Sequence, residues 1–312
     1  MHKNIVKEYL QYWKSSQGES HNLGSIAPSR IAAVTFTNKS AQEMKSRVKK
    51  LVGAKGARGL RVSTFHRLAL GILQKEYAAL DYKPGFSVFA TGDCVTVLSE
   101  LLKVTGERGM DAAEAAHWQI SQWKNDGIMP HEATLVAEDN RQFGIAKLYS
   151  QYQRQLHAYN AFDLDDLILQ TAHLFKTRKD ILQKWQDKIH YLLVDEYQDT
   201  NAMQYELVRM LAEKRECLTA VGDDDQSIYA WRGAKPENLV QLSQDFKNLK
   251  VIKLEQNYRS TRRILKLANE LIKNNPHVYD KKLWSDLGMG DGVRLIQCHE
   301  ASGGSGSHSL QR

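Results

Sequence analysis

The 312-residue sequence has 42% hydrophobic and 25% charged residues, the ordinary balance of a soluble globular protein with one large or two medium domains. No apolar run approaches the roughly 20 residues of a membrane helix, and no secretory signal is recognisable, so no membrane association is predicted. Cys94, Cys217 and Cys298 are far apart and lack CxxC spacing, which argues against a disulfide scaffold or a cysteine zinc site and favours a cytoplasmic location.

The first part of the chain predicts an α/β layer that follows a separate leading segment. Residues 1–14 have the periodicity of a short amphipathic helix, and residues 15–29 have the composition of a loop. An apolar run at 31–36 is typical of a buried parallel strand. The elements that follow are a helix over 40–52, a strand over 61–64 and a helix to about Tyr77. Their alternation predicts an α/β fold.

The middle of the chain, residues 81–171, has helical segments without strand signals and predicts an inserted all-helical subdomain. The α/β alternation then resumes. Strands are predicted at 191–194, 217–221, 251–254 and 293–297, and helices at 201–212 and 261–273. The tail, residues 301–312, is rich in Gly and Ser and has the composition of a linker.

Positive charge is concentrated in one segment. The whole chain has 43 basic and 36 acidic residues, a net charge of +7, whereas Lys39 to Arg67 contains nine basic residues and only Glu43 as an acid. Nine minus one gives this segment +8. A local basic patch predicts a polyanion as partner, and a solvated helix face is the alternative.

An apolar strand that ends in two acids carries the strongest local signal for chemistry. Leu192, Leu193 and Val194 are followed by Asp195 and Glu196, the pattern of a Walker B segment. The carboxyl end of a parallel strand directs such side chains into the crevice where α/β sheets bind ligands. There Asp195 is predicted to hold Mg²⁺ and Glu196 to orient and deprotonate a water. The alternative is a strand that ends in two solvated acids.

Four further blocks accompany this segment. They are TFTNK at 35–39, YQDTN at 197–201, VGDDDQSIYAWRG at 221–233 and LEQNYRST at 254–261. Together with the Walker B segment they resemble the UvrD/PcrA/Rep group of superfamily 1 DNA helicases over about residues 31–299. The resemblance implies an α/β fold with a RecA-like parallel sheet of the P-loop NTPase type, and ATP and Mg²⁺ as cofactors.

The resemblance also implies residues that handle the nucleotide. Gln226 is similar to the glutamine that senses the γ-phosphate, since an amide can donate to a phosphate oxygen without adding charge. Arg259 is similar to an arginine finger, whose planar guanidinium fits phosphate geometry. Tyr258 is similar to the tyrosine that stacks on adenine. From the residues alone, a core tyrosine and a surface arginine are the alternatives.

DNA contacts are implied in the same way. Phe36, Tyr229 and Trp231 are similar to the aromatic residues that form base pockets for single-stranded DNA, and core packing is the alternative for each of them. Stacking tolerates any base, which suits a motor that steps along arbitrary DNA. The remaining implied contacts are Arg232, between the DNA and ATP sites, and Asn38, Lys39, Thr64 and His66 on the DNA backbone. The partners implied are single-stranded DNA and DNA junctions, with replication or repair proteins and self-association to be considered.

Two blocks of the helical segment also resemble the family. Residues 123–126 (WKND) are similar to a part of the insert that touches DNA in relatives. Residues 162–167 (FDLDDL) are interpreted as structural, a helix N-terminus whose acids interact favourably with the helix dipole.

The sequence departs from the family at both ends, since it has no GxxxxGK[ST] P-loop and lacks the later motifs of the second RecA-like domain. A P-loop supplies backbone N–H groups and a lysine to the β- and γ-phosphates. The sheet is therefore predicted to be incomplete. The predicted organisation is a divergent N-terminal segment (1–30), a first RecA-like domain in two parts (31–80 and 172–250), the helical insert (81–171), the start of a second RecA-like domain (251–300) and the tail (301–312).

Three hypotheses for function remain open from the sequence. The first is a portion of an ATP-dependent 3′–5′ DNA helicase that couples ATP hydrolysis to unwinding in the intact protein, while these residues alone lack helicase activity. The second is a catalytically inactive module that binds single-stranded DNA. The third is a subunit that needs a P-loop from another chain.

Overall fold

The computed structural model describes residues 26–104, 109–275 and 279–294. The described chain divides after Val251 into two compact units. The predicted segments 1–14 and 301–312 and most of the predicted loop 15–29 lie outside the described residues. No helix within the described ranges has the length and apolar character needed to cross a bilayer.

The first unit is built on a parallel sheet of four strands in the order β2-β1-β5-β6. The strands are β1 (Ile31–Thr35), β2 (Arg61–Thr64), β5 (Tyr191–Val194) and β6 (Leu218–Ala220). In the register, Val34 lies beside Val194, and Val194 lies beside Ala220. Because all strands run in one direction, their carboxyl ends meet at the same edge of the sheet.

These strands form where the sequence has short apolar runs. Four of the five residues of β1 are buried, as expected for a strand covered on both faces. Helices supply that cover: α2 (Phe65–Glu76), α6 (Leu164–Thr177), α7 (Lys179–Gln186), α8 (Ala202–Ala212) and α9 (Asn238–Asp245). Their apolar faces share one hydrophobic core with the sheet. The predicted parallel α/β arrangement is confirmed.

Helix α1 (Asn38–Gly56) follows β1 and carries most of the basic segment. The Thr37 side chain accepts a hydrogen bond from the Ser40 backbone N–H at 3.0 Å, which satisfies a donor at the start of the helix. Gly53 has φ +76° and interrupts the helical geometry, so the predicted helix end at residue 52 coincides with a break rather than with the end of the element.

The insert has a hydrophobic core of its own among three helices. These are α3 (Thr91–Val104), α4 (Met110–Asp126) and α5 (Asn140–Ala158). Two three-residue strands, β3 (Ser87–Phe89) and β4 (Ala161–Asp163), pair in parallel at its boundaries. The sequence did not predict this ladder, because three residues are too few to display an alternating pattern. The ring of Tyr82 stacks on that of Phe162 in β4, with centroids 3.9 Å apart.

The second unit contains helix α10 (Arg262–Ile272) within the predicted range 261–273. The predicted strand at 251–254 is wrong: this segment has no ladder, and the only pairing described nearby is a bridge between Gln256 and Trp284. An apolar run becomes a strand only where a neighbouring strand accepts its hydrogen bonds. Residues 293–294 of the last predicted strand are not in a strand either, and residues 295–297 lie outside the described chain.

Candidate functional site

The two acids of the Walker B segment lie at the carboxyl edge of the sheet. The backbone N–H of Asp195 donates to the carbonyl of Val34 at 2.9 Å, which fixes Asp195 against the end of β1. Glu196 adopts the left-handed region with φ +53° and ψ 45°, uncommon for a residue with a side chain. Such geometry persists where neighbours impose it, and the next residue, Tyr197, donates its backbone N–H to the Val221 carbonyl at 2.8 Å. The chain is thus turned sharply at Glu196, whose side chain remains half-buried.

A buried amide connects Glu196 to the segment that follows β6. Gln198 is only 1% exposed, and its Nε2 donates to the Glu196 carboxylate at 3.0 Å. Its Oε1 accepts from the Asp223 backbone N–H at 3.0 Å. Gly222 passes so close that a Cβ there would lie 3.0 Å from Gln198 Oε1. The sequence did not predict this role, because its only signal is an amide two residues after a strand-terminal glutamate.

The loop after β6 continues this chain of hydrogen bonds to the predicted phosphate sensor. Asp223 accepts from the Asp225 backbone N–H at 3.3 Å, and its carboxylate also accepts from Gln226 Nε2. Three hydrogen-bonded steps therefore run from Glu196 through Gln198 and Asp223 to Gln226. Gln226 itself is exposed at the surface.

Negative charge accumulates at this edge of the sheet. Burial, and secondarily the charge of Glu196, raises the pKa of Asp199 to about 6. Carboxylate oxygens of Asp223, Asp224 and Asp225 lie within 4.8 Å of one another. Carboxylate oxygens are hard donors, the ligand type that Mg²⁺ prefers, so the chemistry of these residues fits the predicted metal. Asp195, the predicted ligand, is a donor of the same type but is not part of this group of three.

The predicted DNA-backbone residues follow β1 and β2 at the same edge, where Thr35 and Thr64 are in register. Asn38 and Lys39 are exposed in the first turn of α1. The Thr64 hydroxyl accepts from the Arg67 backbone N–H at 3.3 Å and so begins helix α2. Thr64 is the buried last residue of β2, whereas Asn38 and Lys39 follow the end of β1. Their contact with DNA stays a prediction.

His66, one residue into α2, is half-buried. Burial lowers the pKa of its imidazole, and the nearby charge of Asp165 opposes that change only in part. The ring is therefore neutral near pH 7. Its predicted contact to DNA would be a neutral hydrogen bond rather than a charge pair.

The three aromatic residues predicted to form base pockets differ in exposure. Phe36 is half-buried and packs edge-on against Phe65, with centroids 5.6 Å apart. Tyr229 and Trp231 are 39% and 64% exposed, respectively. We refer to residues 229–232 as the aromatic loop. Core packing is thus excluded for Trp231, whereas Phe36 contributes to the core as well as to the edge of the sheet.

Trp123 and Lys124 of the WKND block are buried in the insert, with 4% and 1% exposure. Lys124 Nζ lies 2.6 Å from the Asp163 carboxylate and 2.8 Å from that of Asp166. For these two residues the implied contact with DNA is wrong, because no surface is left to meet a strand. The structural interpretation of residues 162–167 is confirmed: Asp163 and Asp166 form a capping box at the start of α6.

Tyr258 and Arg259 belong to the second unit. The Tyr258 hydroxyl donates to Gln256 Oε1 at 2.6 Å, and the Arg259 backbone N–H donates to Asn257 Oδ1 at 2.9 Å. Both residues are exposed. Their predicted places beside a nucleotide, with Asp195 and Glu196, stay predictions.

Sequence comparison identifies the class to which this architecture belongs. Residues 21–247 match the family model of the UvrD/REP helicase N-terminal domain, and residues 252–303 match that of the UvrD-like helicase C-terminal domain. The chain therefore belongs to the UvrD/REP helicase family, and the predicted RecA-like fold is confirmed.

Among individual relatives, the chain is 52% identical to the ATP-dependent DNA helicase Rep of Escherichia coli (strain K12) over 87% of its own length and 41% of that protein. It is 42% identical to the ATP-dependent DNA helicase PcrA of Bacillus subtilis (strain 168), over 84% of the chain and 35% of that protein. The predicted resemblance to the UvrD/PcrA/Rep group is confirmed. The chain spans about two fifths of the length of the Rep relatives that it matches.

Proposed function

We propose that the chain is a portion of a Rep-like, ATP-dependent 3′–5′ DNA helicase and that it binds single-stranded DNA at the carboxyl edge of its parallel sheet. One observation carries this proposal: the segments after β1, β2, β5 and β6 all leave the sheet at one edge, and they hold the acids, the amide and the aromatic residues of the predicted site. The names of the relatives, which are DNA helicases, support the same activity for the intact protein.

At the nucleotide, each predicted residue has a distinct task. Asp195 would hold Mg²⁺, which supplies charge neutralisation at the phosphates when it is bound. Glu196 orients the attacking water and accepts its proton, and the hydrogen bond from Gln198 keeps that carboxylate in one position. Gln226 donates to the γ-phosphate. Contacts of Arg259 with a phosphate and of Tyr258 with the adenine are proposed from the resemblance to the family.

On the DNA, the exposed aromatic loop stacks on unpaired bases, while the basic start of α1 neutralises phosphates. Stacking without base-specific hydrogen bonds allows any sequence to be bound. Junction preference, self-association and contacts with replication or repair proteins belong to the intact protein in this proposal.

Hydrolysis by these 312 residues alone is expected to be very weak or absent, because no GxxxxGK[ST] segment is present to bind the β- and γ-phosphates. A DNA-binding module without turnover is therefore the second candidate function. A subunit that receives a P-loop from another chain is the third.

An ATPase assay with and without single-stranded DNA separates these candidates, using the parent chain and Glu196→Gln. We expect no DNA-stimulated hydrolysis from either protein. Robust stimulated turnover that Glu196→Gln abolishes would contradict the expectation and favour a complete ATP site. Oligonucleotide binding is measured in parallel, and a chain that binds no single-stranded DNA at low salt would refute the proposed function.

A further inference from the structure

The aromatic loop is fastened at its C-terminal base. Ala234 is buried, and its backbone N–H donates to the Tyr229 carbonyl at 3.3 Å, which closes the loop on itself. The next residue, Lys235, donates its backbone N–H to the Thr200 carbonyl at 2.9 Å. Asn238 Nδ2 donates to the same carbonyl, also at 2.9 Å. The exposed rings therefore stand on a base that is tied to the segment directly after the Walker B acids.

The end of helix α4, from the insert, reaches the same base. Lys235 Nζ lies 2.6 Å from Asp126 Oδ1, and Asn201 Nδ2 donates to Asn125 Oδ1 at 2.5 Å. A Cβ built on Gly233 would lie 3.8 Å from the Cβ of Asn125, so the loop passes in contact with this helix. Asp126 of the insert thus contacts Lys235 at the base of the loop. Asn125 contacts Asn201, which directly follows Thr200, the residue to which the loop base is bonded.

Helix α4 is itself held firmly where it makes these contacts. Lys124, next to Asn125, is enclosed between the Asp163 and Asp166 carboxylates. At the helix end Gly127 has φ +82°. A Cβ built on Gly127 would lie only 2.4 Å from the Met203 methyl carbon, so this residue is closely packed. Well-packed supporting contacts of this kind are what hold a binding loop in one position.

We propose that Asp126 and Asn125 are positioning residues: they hold Lys235 and Asn201 so that the aromatic loop is ordered for single-stranded DNA before the strand arrives. The inference rests on the proposed function. It gives the polar part of the WKND block a role through the loop rather than through direct contact with DNA. Ordering the loop in advance reduces the entropy lost on binding.

Simple electrostatics and this proposal predict opposite signs for one substitution. Asp126→Asn removes a negative charge and releases Lys235, so long-range attraction alone would tighten the binding of a polyanion. Loss of the Lys235 anchor would instead loosen the loop and weaken binding. We expect Asp126→Asn to weaken binding by about two- to fivefold, the range that the free energy of an exposed ion pair supplies.

The test is the affinity of a fluorescently labelled oligothymidylate for the full chain at low salt. Asp180→Asn is the matched control, because Asp180 is also an exposed acid in an ion pair, 2.8 Å from Arg178, and its loss changes the net charge equally. Trp231→Ala reports on the proposed function. We expect weaker binding for Asp126→Asn and unchanged or tighter binding for Asp180→Asn.

The exchanged pair Asp126→Lys/Lys235→Asp keeps the net charge and restores the anchor, so it should recover the parent affinity. If Asp126→Asn also lowers the melting temperature, recovery of affinity in the exchanged pair attributes the weaker binding to the lost ion pair. Affinity of Asp126→Asn equal to or above that of Asp180→Asn, or no recovery in the exchanged pair, would overturn the inference. If Trp231→Ala is also without effect, the proposed DNA site itself has failed.

Discussion

Lys124 shows how a single buried charge organises the insert. Burial alone would lower the pKa of its ammonium group, but the charges of Asp163 and Asp166 outweigh that effect and raise it, so the residue stays protonated. The rings of Tyr149 and Tyr152 lie 5.7 Å and 5.2 Å from the same nitrogen and add cation–π attraction. Two carboxylates and two aromatic rings therefore compensate the buried charge.

Removal of this charge is expected to be costly. Lys124→Met leaves two buried carboxylates without their cation, and we expect the free energy of unfolding to fall by about 3–5 kcal/mol. Urea denaturation measures the change. Lys103→Met, at an exposed position of α3 in the same insert, is the control and should change stability little. A loss for Lys124→Met no larger than for this control would contradict the structural role of the buried pair.

Asp166, in the first turn of α6, makes the stability of the protein depend on pH. Burial, and next the charge of Asp163, raises the pKa of Asp166 from its ordinary 3.8 to about 6. Between these values the folded protein holds a proton that the unfolded chain releases. The contribution of Asp166 to stability is therefore fully present below about pH 4 and is lost as the pH rises through about 6.

Asp166→Asn should remove this dependence. We expect the free energy of unfolding of the variant to decline less than that of the parent between about pH 4 and pH 6.5, because an amide does not titrate. Urea denaturation at several pH values, on both proteins, provides the comparison. Parallel curves for the two proteins would show that Asp166 has no raised pKa.

Among individual residues, the sequence predicts those whose role follows from a local pattern. Asp195 and Glu196 stand at the end of an apolar strand, and that position alone predicts the edge of the sheet where they lie. Gln198 and Lys124 could not be found in this way. Their partners include Asp223 and Asp163, 25 and 39 residues away along the chain, and burial of a polar side chain depends on such tertiary contacts.

The elements of the sheet were predictable because buried parallel strands are short apolar runs bounded by turns. Prediction and structure agree closely for β1, β2, β5 and β6. The same reasoning failed at 251–254, where an apolar run has no partner strand in the described chain, and at β3 and β4, where pairing depends on tertiary packing. The hydrophobic pattern of a segment indicates that it is buried, whereas strand formation also requires a neighbouring strand to pair with.

Helix α8 illustrates how an element boundary can carry a second task. The Asn201 side chain accepts from the Gln204 backbone N–H at 2.8 Å, and the Gln204 side chain accepts from the Asn201 backbone N–H. The Asn201 side-chain amide also donates to Asn125. We expect Asn201→Ala to lower the free energy of unfolding by about 1–2 kcal/mol, the upper range for the loss of an N-cap.

Asp139→Ala is the matched control for this prediction, because Asp139 accepts from the Gln142 backbone N–H at 2.7 Å to cap α5, and its exposed side chain has no other described bond. Urea denaturation should show a larger loss for Asn201→Ala than for Asp139→Ala. Equal losses would indicate that the bond between Asn201 and Asn125 adds no stability.

The position of the basic residues in the molecule says more about DNA binding than the net charge does. The basic segment begins at Lys39, which is exposed in the first turn of α1, four residues after the end of β1. We expect the logarithm of the DNA affinity to fall linearly with the logarithm of the salt concentration, because bound Lys and Arg displace counterions.

Lys39→Ala should reduce the slope of that line by about one and weaken binding to all sequences alike. Lys179→Ala, at an exposed lysine that begins α7 outside the basic segment, is the control and should leave the slope unchanged. Identical slopes for the two variants would remove Lys39 from the DNA-binding surface.

The central claim is that the aromatic loop at the carboxyl edge of the sheet binds unpaired bases. The most direct test compares the affinity of a labelled oligothymidylate for Trp231→Ala and Trp118→Ala, since Trp231 and Trp118 are 64% and 59% exposed, respectively. Loss of one stacked base should weaken binding by at least about fivefold for Trp231→Ala, whereas Trp118→Ala should bind as the parent does. Equal affinities for the two variants would contradict the claim.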